Sequence, residues 1–322
     1  MRKTVSRDRR ALPALAGICL AALGLSPAAC RKSEAVPAGA LYWKTGVRPG
    51  GEMLIDGEGN EILLKAYRRI AVLSPGAVET IYLCGGEEAI AGIAASALDP
   101  VWPPEKTALL RSVGSPARPS LEEIIALQPD LVIGSAMNRA LATDLRARGI
   151  PAIVHSAESL EDIFYSARMI GLLCGREEAA AALVAEKRHS LERLAGERRG
   201  KPLPLKGAFL YSVNPLTAFA PQSLAGDILA VLGVENIAAG LDAAQPILSS
   251  EYLLAADPDF LFGAVFIPGA GEILSANQAI PLTRAGREGN ISIIPSSLLL
   301  RPSPRIVDSL PALYEKITGY LE

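Results

Sequence analysis

The chain has 322 residues, half of them hydrophobic and 5% aromatic, and a formal net charge of −2. That length accommodates two domains of ordinary size, and the apolar content excludes intrinsic disorder. A balance of 32 Lys and Arg against 34 Asp and Glu gives nucleic-acid binding no footing.

The first segment reads as an export signal. Arg2, Lys3, Arg7, Arg9 and Arg10 precede an apolar run from Ala11 to Leu25, shorter than the ~20 residues that span a bilayer. Small residues then lead to Cys30. The run SPAAC resembles a bacterial lipoprotein processing site with Cys30 as the lipidated residue, although Pro27 stands where a Leu-like residue is usual. The chain accordingly divides into a signal peptide over 1–29, a tether over 30–49, an N-terminal lobe over 50–157, linker helices over 158–200 and a C-terminal lobe over 201–322. Beyond Cys30 only Cys84 and Cys174 remain. Each precedes a Gly at an expected helix end and reads as a buried thiol; an exported location leaves a disulfide between them open.

GGEMLIDGEGNEILLK, from Gly50 to Lys65, alternates about Asp56-Gly57 and predicts a β-hairpin. Arg69 to Leu73 is a buried strand, and Ser74-Pro75 opens a helix that stops at Gly85-Gly86. Ala89 to Ala95 and Leu131 to Gly134 are strands. Asn138 caps a helix running to Arg148, and Ala152 to His155 is a further strand. Strands alternating with helices, each strand nearly all apolar, predict a parallel sheet covered on both faces. Ser159 to Gly175 is a capped helix, and Glu177 to Arg199 is a long one, about 33 Å at 1.5 Å per residue. Beyond it come a strand from Lys206 to Ser212, a helix from Ser223 to Gly233, strands at Phe260 to Gly263 and Ile291 to Pro295, and a terminal helix from Pro304 to Leu321.

One pattern occurs twice. SLEEIIALQPDLVIG, from Ser120 to Gly134, aligns without gaps on SSEYLLAADPDFLFG, from Ser249 to Gly263. Ser, the first Glu, Ala, Pro-Asp and Gly coincide. Each copy predicts a Ser-capped helix, a Pro-Asp stop and a buried strand, with Glu123 completing a capping box on Ser120. The sequence therefore predicts two matched α/β lobes with parallel sheets, joined by one long α-helix and framing a cleft. Glu122 and Glu251 hold the same place in both copies, the second residue of a helix. Two equivalent acids, one per lobe, suit docking onto a two-fold partner with a basic residue on each subunit.

No catalytic pattern survives inspection. The chain lacks a G-x-S-x-G elbow, a phosphate-binding G-x-x-x-x-G-K-[ST] loop and an H-E-x-x-H pair. Its two histidines, His155 and His189, are isolated from each other and make direct metal chelation unfavoured. No resident cofactor is expected.

From Ile55 to the C-terminus the chain resembles the periplasmic binding proteins of ABC importers for iron complexes and cobalamin. The resemblance is carried by Asp56 to Gly86, Val113 to Ser135, Arg148 to Ile163, LGVENIAA at Leu232 to Ala239, and LLRPSPRIVDSL at Leu299 to Leu310. It implies the class III fold of two lobes bridged by one helix; the expected state is a monomer, anchored to the membrane if Cys30 is lipidated as the SPAAC run suggests, with plain secretion as the alternative. It also implies that Glu122 and Glu251 dock on an ABC permease dimer. The ligand would lie between loop ends at Ser74 to Ala77, Ser115 to Arg118, Ser135 to Arg139, Ser212 to Phe219 and Leu299 to Arg301. Ser74, Pro75, Ser115, Arg118, Ser135 and Arg139 are the candidate contacts on one lobe, and Tyr211, Phe219 and Arg301 on the other, with Trp102 a further wall. Arg301 matches a position where some relatives grip the ligand. The aromatic residues that embrace a corrin are largely missing, with Pro116, Ser135 and Gln245 near their places, and the 115–118 loop lacks a Tyr for haem iron. A ferric siderophore is thus the leading small-molecule metal chelate, with haem or cobalamin as alternatives. An exported enzyme with an unrecognised active site is the alternative of another class.

Overall fold

A computed structural model of the protein describes residues 43–96, 100–197, 202–243, 245–263, 267–295, 297 and 301–321. The expected signal and Cys30 lie outside the described residues, as do 298–300 of the last ligand loop.

The described chain starts with a meander of three antiparallel strands, β1 (Lys44–Arg48), β2 (Gly51–Ile55) and β3 (Glu61–Leu63). The expected hairpin is β2–β3, but its loop is longer than the Asp-Gly pair alone. Asp56 accepts the backbone N–H groups of Glu58 and Asn60 at 3.0 and 2.9 Å, which draws both into the turn. β1 occupies part of the stretch assigned to the tether. Four of its five side chains are exposed, so no apolar alternation announces it; pairing with β2 makes it a strand.

Next come β4 (Ile70–Val72), α1 (Pro75–Leu83), β5 (Ile90–Ile93) and α2 (Pro104–Thr107). A short ribbon, β6 (Gly114–Ser115) with β7 (Arg118–Pro119), leads to α3 (Leu121–Ala126), β8 (Leu131–Ser135), α4 (Arg139–Ala147) and β9 (Ala152–His155). The sheet order is β5-β4-β8-β9, all parallel. Alternate strand residues serve opposite faces. Ile70, Val72, Ile133 and Ile153 share one cluster with Val78, Ile81 and Ile170. Ala71, Val132, Ala152 and Val154 share the other with Ile124 and Leu145. Burial on both faces explains the nearly continuous apolar runs.

The linker contributes α5 (Leu160–Leu173) and α6 (Glu177–Glu197). At 21 residues α6 is about 31 Å long. The C-terminal lobe follows with β10 (Lys206–Val213), β11 (Leu216–Ala218), α7 (Leu224–Leu232), β12 (Glu235–Asn236), α8 (Ser250–Ala256) and β13 (Phe260–Gly263). It closes with α9 (Ala270–Ala276), α10 (Arg284–Glu288), β14 (Ile291–Ile293) and α11 (Ile306–Thr318). β10 pairs in parallel with β12 and β13, and β13 with β14; β11 returns antiparallel on β10. In each lobe, therefore, the first parallel strand lies between the second and third, and the fourth lies beyond the third. The duplication seen over fifteen residues extends to the order of the four parallel strands.

The repeat is exact at its stop signal as well. Among the described residues, only Gln128 and Asp257 have positive φ without being glycine, at 49° and 43°. They are equivalent, one residue before the Pro-Asp. The following acids do equivalent work: Asp130 accepts the N–H of Arg69 at 2.9 Å and Asp259 that of Lys206 at 2.7 Å. Each Asp thereby ties its strand to the start of the neighbouring one, which the strand pattern alone did not reveal.

Two local expectations are corrected. Ser120 caps α3 by accepting the Glu123 N–H at 3.2 Å, but the Glu123 carboxylate pairs with Arg111 at 2.8 Å. Asn138 does not cap α4 through its side chain; it takes the N–H and hydroxyl of Ser135 instead. Cys84 and Cys174 end α1 and α5, each followed by a Gly with φ near +70°. Both are free, and burial pushes their thiols up to about 11 and 12. A thiol reagent at neutral pH, mapped by peptide mass spectrometry, is expected to spare both in the native protein and modify both after unfolding. Native labelling would contradict the burial.

Candidate functional site

The C-terminal ends of parallel strands are where loops converge in folds of this kind. Ser74 follows β4 and caps α1: its Oγ accepts the Ala77 N–H at 3.4 Å, and Pro75 fills the first helical position. Ser135 and Asn138 follow β8, the neighbouring strand. The Ser135 N–H and hydroxyl donate to Asn138 Oδ1 at 2.9 and 2.8 Å, and Asn138 Nδ2 donates to the Pro116 carbonyl at 2.9 Å. That bond ties the 135–139 loop to the β6–β7 ribbon, where Ser115 Oγ accepts the Arg118 N–H at 3.1 Å. Pro75, Ser115, Arg118, Ser135 and Arg139 are thus placed along one rim, whereas Ser74 is 2% exposed with its hydroxyl on His155 Nδ1, which corrects its reading as a ligand contact. Arg118 is exposed, and Arg139 pairs with Glu58 of the meander turn.

His155 ends β9 beneath this rim. It is 1% exposed, and Trp43 lies against it at 5.3 Å between ring centroids. Ser74 Oγ is 3.0 Å from Nδ1 and Ser166 Oγ 3.2 Å from Nε2. Ser166 donates to the Ile163 carbonyl at 3.0 Å, so the ring donates through Nε2 and accepts at Nδ1. This is a buried, hydrogen-bonded core histidine, and burial pushes its pKa down to about 4. His189 is exposed beside Glu192. Among the described residues, no group of three His, Cys, Asp or Glu could hold a metal ion.

The C-terminal lobe departs from the sequence picture. Phe219 is buried in that lobe's core and meets Tyr211 edge to face at 5.5 Å. Packing occupies Phe219, which corrects its reading as a cleft wall, and Tyr211 lies against it half-buried. Arg301 is 7% exposed: its Nη1 lies 3.3 Å from Glu79 Oε1 and donates to the Pro100 carbonyl at 2.8 Å. It faces α1 and the 100–102 stretch of the other lobe, which corrects the picture of a guanidinium held out toward a ligand. Trp102 stacks under the Arg305 guanidinium at 4.6 Å.

Glu79 went unread in the sequence. It is 2% exposed on an otherwise apolar helix and receives the Ser303 hydroxyl at 2.7 Å as well as Arg305 at 3.2 Å. Its one sequence signal is a lone acid within PGAVETIYL. A cavity of about 310 Å³ adjoins it, bounded by Ser303, Arg305, Leu313 and Lys316. None of the nine ligand candidates lines that cavity. On β11, Thr217 Oγ1 is buried with no partner among the described residues.

Glu122 and Glu251 are both exposed at the second position of α3 and α8, whose caps Ser120 and Ser249 accept the N–H three residues on. The backbone N–H of Glu122 and the Ser120 hydroxyl, at 3.0 Å, hold the Glu122 carboxyl below its ordinary range.

The family described as "Periplasmic binding protein" matches residues 70–298 of the chain. A cobalamin-binding protein of Halobacterium salinarum is 26% identical over 250 residues, 75% of this chain and 67% of that protein. A vitamin B12-binding protein of Salmonella paratyphi A is 30% identical over 253 residues, 76% and 88% of the two chains. A periplasmic heme-binding protein from Roseiflexus sp. RS-1, solved in apo form, superposes with a TM-score of 0.69 at 25% identity, covering 80% of this chain and all of that one.

Proposed function

The chain belongs to the periplasmic binding protein family, and from that membership we propose that it captures a metal chelate outside the cytoplasm and hands it to an ABC permease. Proteins of this family bind and deliver solutes; they are not enzymes. The observation that carries the reading is the duplicated topology, with loops at the strand ends of each lobe and one exposed acid at the same helical position of each. Pro75, Ser115, Arg118, Ser135 and Arg139 form the N-terminal wall of the ligand cleft, Glu122 and Glu251 meet a two-fold permease, and Cys30 carries the lipid anchor of a monomer.

For the cargo, the wall's Ser115 and Ser135 hydroxyls and exposed Arg118 guanidinium, with no aromatic side chain among its five residues, favour a ferric siderophore with oxygen donors. A corrinoid is the second reading, favoured by the two relatives named for cobalamin. The test is titration of the purified protein with ferric siderophores, cobalamin and haem, followed by tryptophan fluorescence. Trp102 beside Arg305 and Trp43 beneath the rim are the reporters. Saturable binding of a ferric siderophore alone supports the first reading; saturation by cobalamin alone replaces it with the second. Binding of none of them removes the proposal.

A further inference from the structure

We propose that Glu79 is the positioning residue of the cleft: it latches the C-terminal lobe onto the ligand-facing helix of the N-terminal lobe, and Arg301 therefore serves the latch rather than the cargo. The inference rests on the solute-binding reading and goes beyond it.

The latch joins three side chains of one short segment to a single buried carboxylate. Arg301 and Arg305 share Glu79 Oε1 at 3.3 and 3.2 Å, and Ser303 donates to Oε2 at 2.7 Å. Pro302, between them, packs so closely on α1 that a Cβ at Gly76 would lie 2.6 Å from its carbonyl oxygen. Two further contacts reach the N-terminal lobe beyond α1, from Arg301 to the Pro100 carbonyl and from Arg305 to the Trp102 ring. A buried carboxylate with charged and hydroxyl donors is costly to separate from them.

The latch also continues into the rest of the molecule. Arg305 immediately precedes α11, and Asp308 on the first turn of α11 pairs with Lys187 of α6 at 2.7 Å. α1, the 301–305 segment, α11 and the connecting helix α6 thus form one linked series. Among the described residues, the covalent run through α5 and α6 and this non-covalent brace both join the lobes. Ser74 and Pro75 open the very helix that Glu79 holds, so the spacing of the cleft walls depends on Glu79. A merely stabilising ion pair would affect folding; a positioning one changes lobe spacing and cargo release in a folded protein.

The test is Glu79→Gln, which keeps the shape and removes the charge, with folding checked by circular dichroism. Spin labels on exposed positions 148 and 272, one on each lobe, report the inter-lobe distance by pulsed electron resonance. Expected are a broadened or lengthened distance and at least about tenfold faster release of the bound chelate, by the same factor for cobalamin, a neutral ferric hydroxamate and ferric citrate, whichever the wild type binds. An unchanged distance distribution overturns the proposal. So does a gain in ferric citrate affinity, which would show Arg301 freed to act as a cargo group. Should Glu79→Gln fail to fold, Ser303→Ala removes only one donor and is expected to shift distance and release in the same direction by about threefold; no shift overturns the proposal. If no chelate binds the wild type, the solute reading fails while the distance measurement still decides the latch.

Discussion

Reversing both Glu122 and Glu251 to Arg is expected to abolish uptake while leaving the affinity of the purified protein for its cargo within about threefold, since rim charges mostly govern encounter and register. Both carboxylates are exposed, and neither belongs to the proposed cleft wall. An Arg at the second position of a helix opposes the macrodipole, at a cost of about 0.3–1 kcal/mol per site. A folded, cargo-binding protein that cannot deliver is therefore the anticipated phenotype. Each single reversal should be milder than the pair, because a permease engaging both lobes gains from linked contacts. Radiolabelled uptake in cells carrying the cognate permease is the measurement. Normal uptake by the double variant would end the docking role for these acids.

Acid is expected to weaken the protein through His155. The ring is fully enclosed, its partners Ser74, Ser166 and Trp43 are neutral, and burial alone holds its pKa at about 4 against an ordinary 6.5. A depressed pKa means the unfolded chain takes up the proton first. The contribution is therefore complete above pH 6.5 and lost as the pH falls toward 4. Integrated across that window it comes to about 3 kcal/mol. Protonation would also place an N–H on Nδ1 against the hydroxyl that now donates to it. Urea unfolding at pH 7 and pH 4 should show this loss in the wild type and about 3 kcal/mol less of it in His155→Asn. Equal pH dependence in the two proteins would refute the assignment.

What the sequence disclosed was local or repeated. Ser74 with Pro75 placed the start of α1, and the apolar strands Ala152–His155 and Phe260–Gly263 have the predicted bounds. These elements carry their own caps, stops and burial pattern. β1 escaped because it is exposed and is defined by its pairing with β2. Asn138 reads as a cap by residue type, yet Pro116, twenty-two positions away, and Ser135 claim its amide. In the candidate site, the positions of Ser74 and Ser135 were legible because each sits at the end of an apolar strand. The fate of Arg301 was not. Its partner Glu79 is 222 residues distant, and nothing in either local pattern marks the pairing. Phe219 looked like a wall because loop position suggested it, whereas the lobe's core took its ring.

The outer edge of β9 is sealed by side chains rather than by another strand. Asp56 accepts the Val154 N–H at 3.1 Å from 98 positions away, and the Trp43 indole donates to the Val154 carbonyl at 2.6 Å from 111 positions away. Both sealing groups emerge early in a chain delivered N-terminus first, and then wait for β9. Loop closures of that span are entropically slow. During the interval β9 offers an unpaired backbone row to any neighbouring molecule. The first described residues of the chain are thus fastened only once β9 has arrived, and self-association through that edge should be most acute just before they are.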